Sequence, residues 1–188
     1  DFIVELGMVF FLFVSETGVV YRIVEVFNEL QDPGVPIPPE ASAVNGITDD
    51  MVRGKVIDGQ RVADLVTFVS IVIAHNSAFD RQLCERFWPI FAKLPWACSF
   101  RQIPWQDEGI GSGKLDYIAY RRGFHYAAHR AEEDCRVLLH VLQAPFAETG
   151  APTLKALLDA SNKCEMRIWA TGAPFEVKDA LSGRGYRW

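Results

Sequence analysis

The stretch that decides the fold is Ile73-Ala74-His75-Asn76-Ser77-Ala78-Phe79-Asp80. Ile71-Val72-Ile73-Ala74 is a short apolar, β-branched run, as in a buried strand. The helical pattern that follows, Phe79 to Phe91, carries Leu83, Phe87 and Ile90 on one face. Asp80 therefore stands in the first turn of a helix just past a strand end, where α/β folds assemble their sites.

The elements on either side extend this reading. Upstream, Phe2 to Val14 is dense in apolar and aromatic residues. Ser15-Glu16-Thr17-Gly18 supplies turn chemistry, and Val19 to Val26 is a second β-branched run, which together predict a β-hairpin. The segment from Asp32 to Pro39 is too rich in proline for a helix interior or a central strand and reads as a loop. Thr48-Asp49-Asp50-Met51 predicts a helix N-cap followed by first-turn acids, with helical spacing continuing through Val62, Leu65, Val66 and Val69. Downstream, Trp96 to Ser99 predicts a strand, and Lys114 to Arg122 and Glu132 to Leu142 predict helices. Thr153 is placed to cap a last helix reaching about Ala160. Hairpin, helix, strand, helix, strand, helices is an α/β order with a mixed sheet, one candidate for which is the ribonuclease H-like architecture.

Bulk properties narrow the class. The chain has 188 residues, 49% of them hydrophobic and 23% charged, which suits a globular core rather than a disordered tail. A net charge of −5 argues against gripping duplex DNA through a broad basic surface, although a carboxylate site filled by cations is compatible with it. Cys84, Cys98, Cys135 and Cys164 form no zinc-type spacing and read as ordinary thiols. No apolar run approaches a membrane span, so a cytoplasmic location is the default expectation, with no membrane partner.

Two further stretches carry candidate chemistry: His129-Arg130-Ala131-Glu132-Glu133-Asp134-Cys135, and Gly46-Ile47-Thr48-Asp49-Asp50-Met51-Val52. On a continuous helix His129 and Asp134 would point roughly 140° apart. They converge only if His129 lies in the loop before the helix. Two carboxylates and an imidazole from separate elements suit a hydrolase that uses hard divalent cations and a histidine base. Each also has a plainer reading: an acid in a first helical turn commonly caps the helix, and a histidine before a helix is commonly solvated.

The order and spacing of these stretches resemble the DnaQ-like (DEDDh) 3′–5′ exonuclease superfamily, which includes polymerase proofreading subunits and oligoribonucleases. His75-Asn76-x-x-Phe79-Asp80 resembles its second motif, and His129-x-Ala131-x-x-Asp134 its third. Gly46-Ile47-Thr48 with Val52 resembles the loop and helix before the second motif. Asp1-x-Ile3-Val4-Glu5-Leu6-Gly7 resembles the strand after the first. The resemblance implies a ribonuclease H-like mixed sheet flanked by helices. It implies two divalent cations, Mg2+ or Mn2+, with Asp80 and Asp134 as two of four metal-binding acids and His129 as the general base. It implies Asn76, Ile47 and Thr48 as contacts to the terminal nucleotide, a nucleic-acid 3′ end as substrate, and a DNA polymerase as a conceivable partner. Phe79 is expected to pack in the core.

The family's first motif, an apolar strand ending in Asp-x-Glu-Thr, has no match. Phe13-Val14-Ser15-Glu16-Thr17-Gly18 imitates it, but Val14 stands where the aspartate belongs, and the segment reads better as the hairpin turn. The first strand and two acids are expected upstream of Asp1, and residues 1–188 alone are expected to be nearly inactive. Residues 1–148 are assigned to the exonuclease core and 149–188 to a C-terminal extension. The basic and aromatic tail (Arg167, Trp169, Phe175, Arg184, Arg187 and Trp188) is either a nucleic-acid contact or a small packed subdomain. Trp96 and Trp105 read as core or rim. Two other functions stand beside exonuclease: a non-catalytic binding module, and a phosphodiesterase for small nucleotides.

Overall fold

A dense apolar run followed by a β-branched one makes the hairpin the largest sheet element. The computed structural model describes residues 2–126, 128–163 and 170–186. Strand β1 (Glu5–Phe13) pairs antiparallel with β2 (Val20–Leu30), and register shifts occur after Phe10 and after Leu12. The connecting turn is the one expected from Ser15 to Gly18: the Gly18 amide donates to the Val14 carbonyl at 2.7 Å, and Gly18 has φ +72°. A Cβ there would lie 2.5 Å from the Lys155 amide nitrogen, so glycine is required by both conformation and space. Glu16, the imitation of a motif acid, is exposed on this turn.

The connection to the next strand departs from expectation. The proline-rich loop ends earlier than predicted, because Pro39 opens helix α1 (Pro39–Asn45), a position where its missing N–H costs nothing. Thr48 does precede helix α2 (Asp49–Val52), but its side chain makes no capping bond. The helical spacing from Thr48 to Val69 is also broken. Gly54 takes φ +69°, and α3 (Gly59–Val66) starts afresh where the Asp58 carboxylate accepts the Gln60 and Arg61 amides, both at 3.0 Å. Arg61 then bridges from α3 to Glu25 and Glu29 on β2.

Strand β3 (Val72–Ala74) leads into α4 (Ser77–Phe87), a 3-10 turn (Pro89–Lys93), and β4 (Trp96–Cys98), which pairs parallel with β3. Then follow α5 (Ser99–Gln102), α6 (Leu115–Arg121), α7 (Ala131–Gln143) and α8 (Thr153–Ser161). Thr153 is not the cap of α8 but its first residue; its hydroxyl is buried and donates to the Ala144 carbonyl at 2.6 Å. Trp105 is core, and its indole N–H donates to the Ser99 carbonyl. In the C-terminal segment, Phe175–Val177 and α9 (Lys178–Gly183) are short helical turns, and Phe175 is exposed. Cys164, Arg167, Trp169, Arg187 and Trp188 lie outside the described residues.

The two small sheets belong to one layer. Leu6, Met8 and Phe10 of β1 and Val72 and Trp96 of β3 and β4 all pack toward Val62, Val66 and Phe91 on one side. Phe11 and Phe13, with Ile73 and Ala97, pack toward Ile118, Leu138 and Leu154 on the other. Helices thus cover both faces, which explains why these strands read as near-continuous apolar runs. This is the ribonuclease H-like α/β architecture. Among the described residues, no helix is long and apolar enough to cross a membrane.

Within that layer β1 and β3 do not touch as strands. Each pairs on one edge only, β1 with β2 and β3 with β4. Between the free edges lies a cavity of about 1320 Å³. Every residue of β1 lines it, as do those of β3, with Leu65 and Phe91 on one wall and Leu138 and Leu142 on the other. Consecutive residues of a strand face opposite sides, so a cavity touching all of them runs along the backbone edge rather than over one face.

Candidate active site

One end of this slot holds the residues singled out by sequence. Asp80, Asp134, His129 and Asn76 line its mouth, together with Glu5 and Tyr126. Asp80 is delivered by the first turn of α4, immediately past the C-terminal end of β3. Asp134 comes from the first turn of α7. His129 does lie in the loop before α7: its backbone amide donates to Asp134 Oδ2 at 3.1 Å, and its charge lies near enough to favour the ionised Asp134.

Asn76 and His129 share an unusual backbone. They are the non-glycine residues with positive φ among those described, at +67° and +76°. Asparagine tolerates this left-handed region, whereas for histidine it is strained, at about 1–3 kcal/mol. Backbone strain at two residues flanking one cavity mouth is the kind of feature that surrounding structure must actively maintain.

The electrostatics single out the carboxylates. Burial pushes the Asp80 pKa up to about 6, and the nearby Asp134 charge adds to the effect. Burial likewise raises Asp134, although its bond from the Tyr126 hydroxyl and its proximity to His129 favour the charged form. A buried carboxylate whose ionisation is disfavoured by a neighbouring one forms a place where positive charge is wanted. Among the described residues no three His, Cys, Asp or Glu side chains converge to hold a metal ion. The pair therefore fits part of a divalent-cation site, not a whole one. His75 is held neutral by burial and joins β3 to α5 through Nδ1 and the Ser99 hydroxyl at 2.9 Å. The thiols of Cys84 and Cys135 are pushed up to about 12 by burial and are inert, as expected of ordinary thiols.

Two of the marked residues lie away from the slot, and a third, Phe79, differs from expectation. Ile47 is buried with Ile37 and Val52 and does not line the slot; its apolar side chain is claimed by that small core. Thr48 is exposed and also lies off the slot. Phe79 is not core: it is 62% exposed, because the α4 face it occupies points to solvent while Cys84 on the opposite side is buried. Sequence reasoning missed Tyr126, which no motif marks, and the role of Glu5, whose partner Arg130 is 125 positions away.

Comparison with known proteins agrees with this geometry. The sequence pattern of the RNase T exonuclease family matches residues 1–142. The chain is 28% identical over 194 residues to the epsilon subunit of DNA polymerase III from Treponema pallidum, covering 90% of this chain and 86% of that protein. It is 32% identical over 148 residues to an uncharacterized exonuclease of Escherichia phage 186, covering 67% of this chain and 75% of that one. PolC-type DNA polymerase III of Streptococcus thermophilus is 26% identical over 148 residues, only 10% of its own length. Among solved structures, exonuclease X in complex with 5′ overhanging duplex DNA superposes with a TM-score of 0.57 at 24% identity, covering 86% of this chain and 92% of that one, a likeness of fold. The chain belongs to the RNase T exonuclease family, with the DnaQ-like architecture.

Proposed function

We propose that the chain is the core of a 3′–5′ exonuclease that hydrolyses the terminal phosphodiester of a DNA or RNA 3′ end and releases nucleoside monophosphates. The observation that carries this reading is the convergence of Asp80, Asp134 and His129 at one end of a strand-wide slot. Asp80 and Asp134 would hold divalent cations, Mg2+ or Mn2+, which when bound neutralise the phosphate and acidify the attacking water. His129, exposed at the cavity mouth, takes the proton of that water. Asn76, also exposed there, is positioned to meet the terminal nucleotide.

The slot supports the expectation of a missing strand. β3 runs toward the site, whereas β1 starts at it and runs away. A strand parallel to β3 and antiparallel to β1 would fill the layer and bring its C-terminal end to Asp80 and Asp134. Acids at that end would complete the ligand set. The test is a 5′-labelled single-stranded DNA and RNA pair incubated with Mg2+ or Mn2+ and a form of the protein carrying an apolar strand that ends in Asp-x-Glu-Thr. The expected result is a ladder shortening from the 3′ end, slowed at least about 10²-fold by His129→Ala. Release of the label as the first product would reverse the polarity. Cleavage of dinucleotides alone would favour the small-nucleotide phosphodiesterase.

A further inference from the structure

We propose that Glu5 is a positioning residue for the proposed base His129, holding the strained His129 turn against the sheet through the two residues that follow it. This rests on the reading of His129 and Asp134 as the reacting pair. Glu5 opens β1, yet its carboxylate is only 4% exposed and is directed at the chain before α7. The Arg130 guanidinium donates to it through Nη2 at 2.8 Å and through Nε at 3.2 Å to Oε2. The Ala131 backbone amide, one of the orphan donors of the α7 N-terminus, donates to Oε2 at 3.0 Å. The Asn28 amide donates to Oε1 at 3.2 Å. A single carboxylate thus fixes both residues after His129.

The backbone around it explains why this hold is tight. Gly7, two residues along β1, passes so close to the first turn of α7 that a Cβ would sit 2.5 Å from the Ala131 carbonyl carbon. The Cys135 thiol donates to the Gly7 carbonyl at 3.4 Å. Strand and helix start are therefore docked, and His129 occupies the turn between that dock and the Asp134 carboxylate its amide meets. A left-handed histidine relaxes unless its flanks are fixed. Glu5 and Arg130 fix the C-terminal flank, and Asp134 takes the amide. Glu5 lines the same slot, but its carboxylate is engaged by Arg130, Ala131 and Asn28, so it acts through the turn.

The test needs no activity, so its outcome is separable from that of the exonuclease reading. Amide hydrogen exchange and the His129 imidazole resonances are measured by NMR on residues 1–188 as wild type, Glu5→Gln, Glu5→Ala and Leu157→Ala, the last a core change that destabilises globally. In Glu5→Ala the His129 and Ala131 amides should exchange about 10–100-fold faster, the loss expected for charge-assisted bonds. The imidazole resonances should shift, while the Val141 and Leu154 amides change no more than in Leu157→Ala. Glu5→Gln, which keeps an acceptor for Ala131, should show a smaller effect and serves if Glu5→Ala does not fold. The proposal is overturned if the His129 amide and ring are unchanged, or if the Glu5 variants accelerate all amides in the Leu157→Ala pattern.

Discussion

At the residue scale the site is built at the expense of stability. A carboxylate raised to about 6 in the folded state, against 3.8 for the ordinary group, binds protons more tightly folded than unfolded. Stability therefore falls as pH rises from near 4 to near 6, by about 3 kcal/mol from this one group, and stays low above that range. Asp80→Asn should consequently be as stable as wild type near pH 3.5 and about 2–3 kcal/mol more stable at pH 7.5, read by urea unfolding at both values. Millimolar Mg2+ should narrow the gap at pH 7.5 by stabilising wild type alone. A wild type that is the more stable of the two at pH 7.5 without cation would show that Asp80 is not desolvated. The first-turn places of Asp80 and Asp134 were legible in the sequence as local patterns, whereas their assignment as metal-binding acids rested on the resemblance of the two stretches to the exonuclease motifs. The exposure of Phe79 and the burial of Ile47 were not legible, since which side of α4 faces solvent and which small core claims an isoleucine are set by packing with distant segments.

The element scale is governed by how closely β1 approaches α7. Gly7 is the contact point, and no flexible side chain is available to move aside, because the atoms met are backbone of Ala131 and Glu132 and the Ala131 Cβ. Gly7→Ala should cost about 2–3 kcal/mol in chemical denaturation, the range for forcing a methyl into a filled space. A cost below about 0.5 kcal/mol would mean the strand and helix start are not docked. Hairpin, β3, β4 and the later helices follow their hydrophobic periods and were readable on that basis. The discrepancies lie where short-range chemistry overrides period. Pro39 starts a helix inside a run that reads as loop. Gly54 and Asp58 interrupt apolar spacing that otherwise continues to Val69. The Glu5 link to Arg130 joins the first strand to the seventh helix, and no local pattern announces a pair so far apart in sequence.

On the scale of the whole molecule, the two-part sheet is the feature that connects fold and activity. Two sheets share both helical coverings and leave free edges facing a slot, and the proposed reading is that the slot takes another strand. An apolar peptide ending in Asp-x-Glu-Thr should bind residues 1–188 with a defined stoichiometry of one and raise the unfolding temperature. A peptide of scrambled alternation should do neither, as register depends on which side chains face each covering. Calorimetry with both peptides checks this. The motif order raises the expectation of a further strand, but the slot itself was not legible, because the width and lining of a gap depend on how the rest of the layer packs.

The most direct measurement is Mg2+-dependent hydrolysis of a 5′-labelled single strand by residues 1–188, with and without that strand fused ahead of Asp1. With Asp80 and Asp134 proposed as two of four metal-binding acids, the account predicts almost no hydrolysis by residues 1–188 and stepwise 3′ shortening once the strand is present. Robust hydrolysis by residues 1–188 without it, or a folded strand-bearing protein that leaves the substrate intact, would contradict the claim.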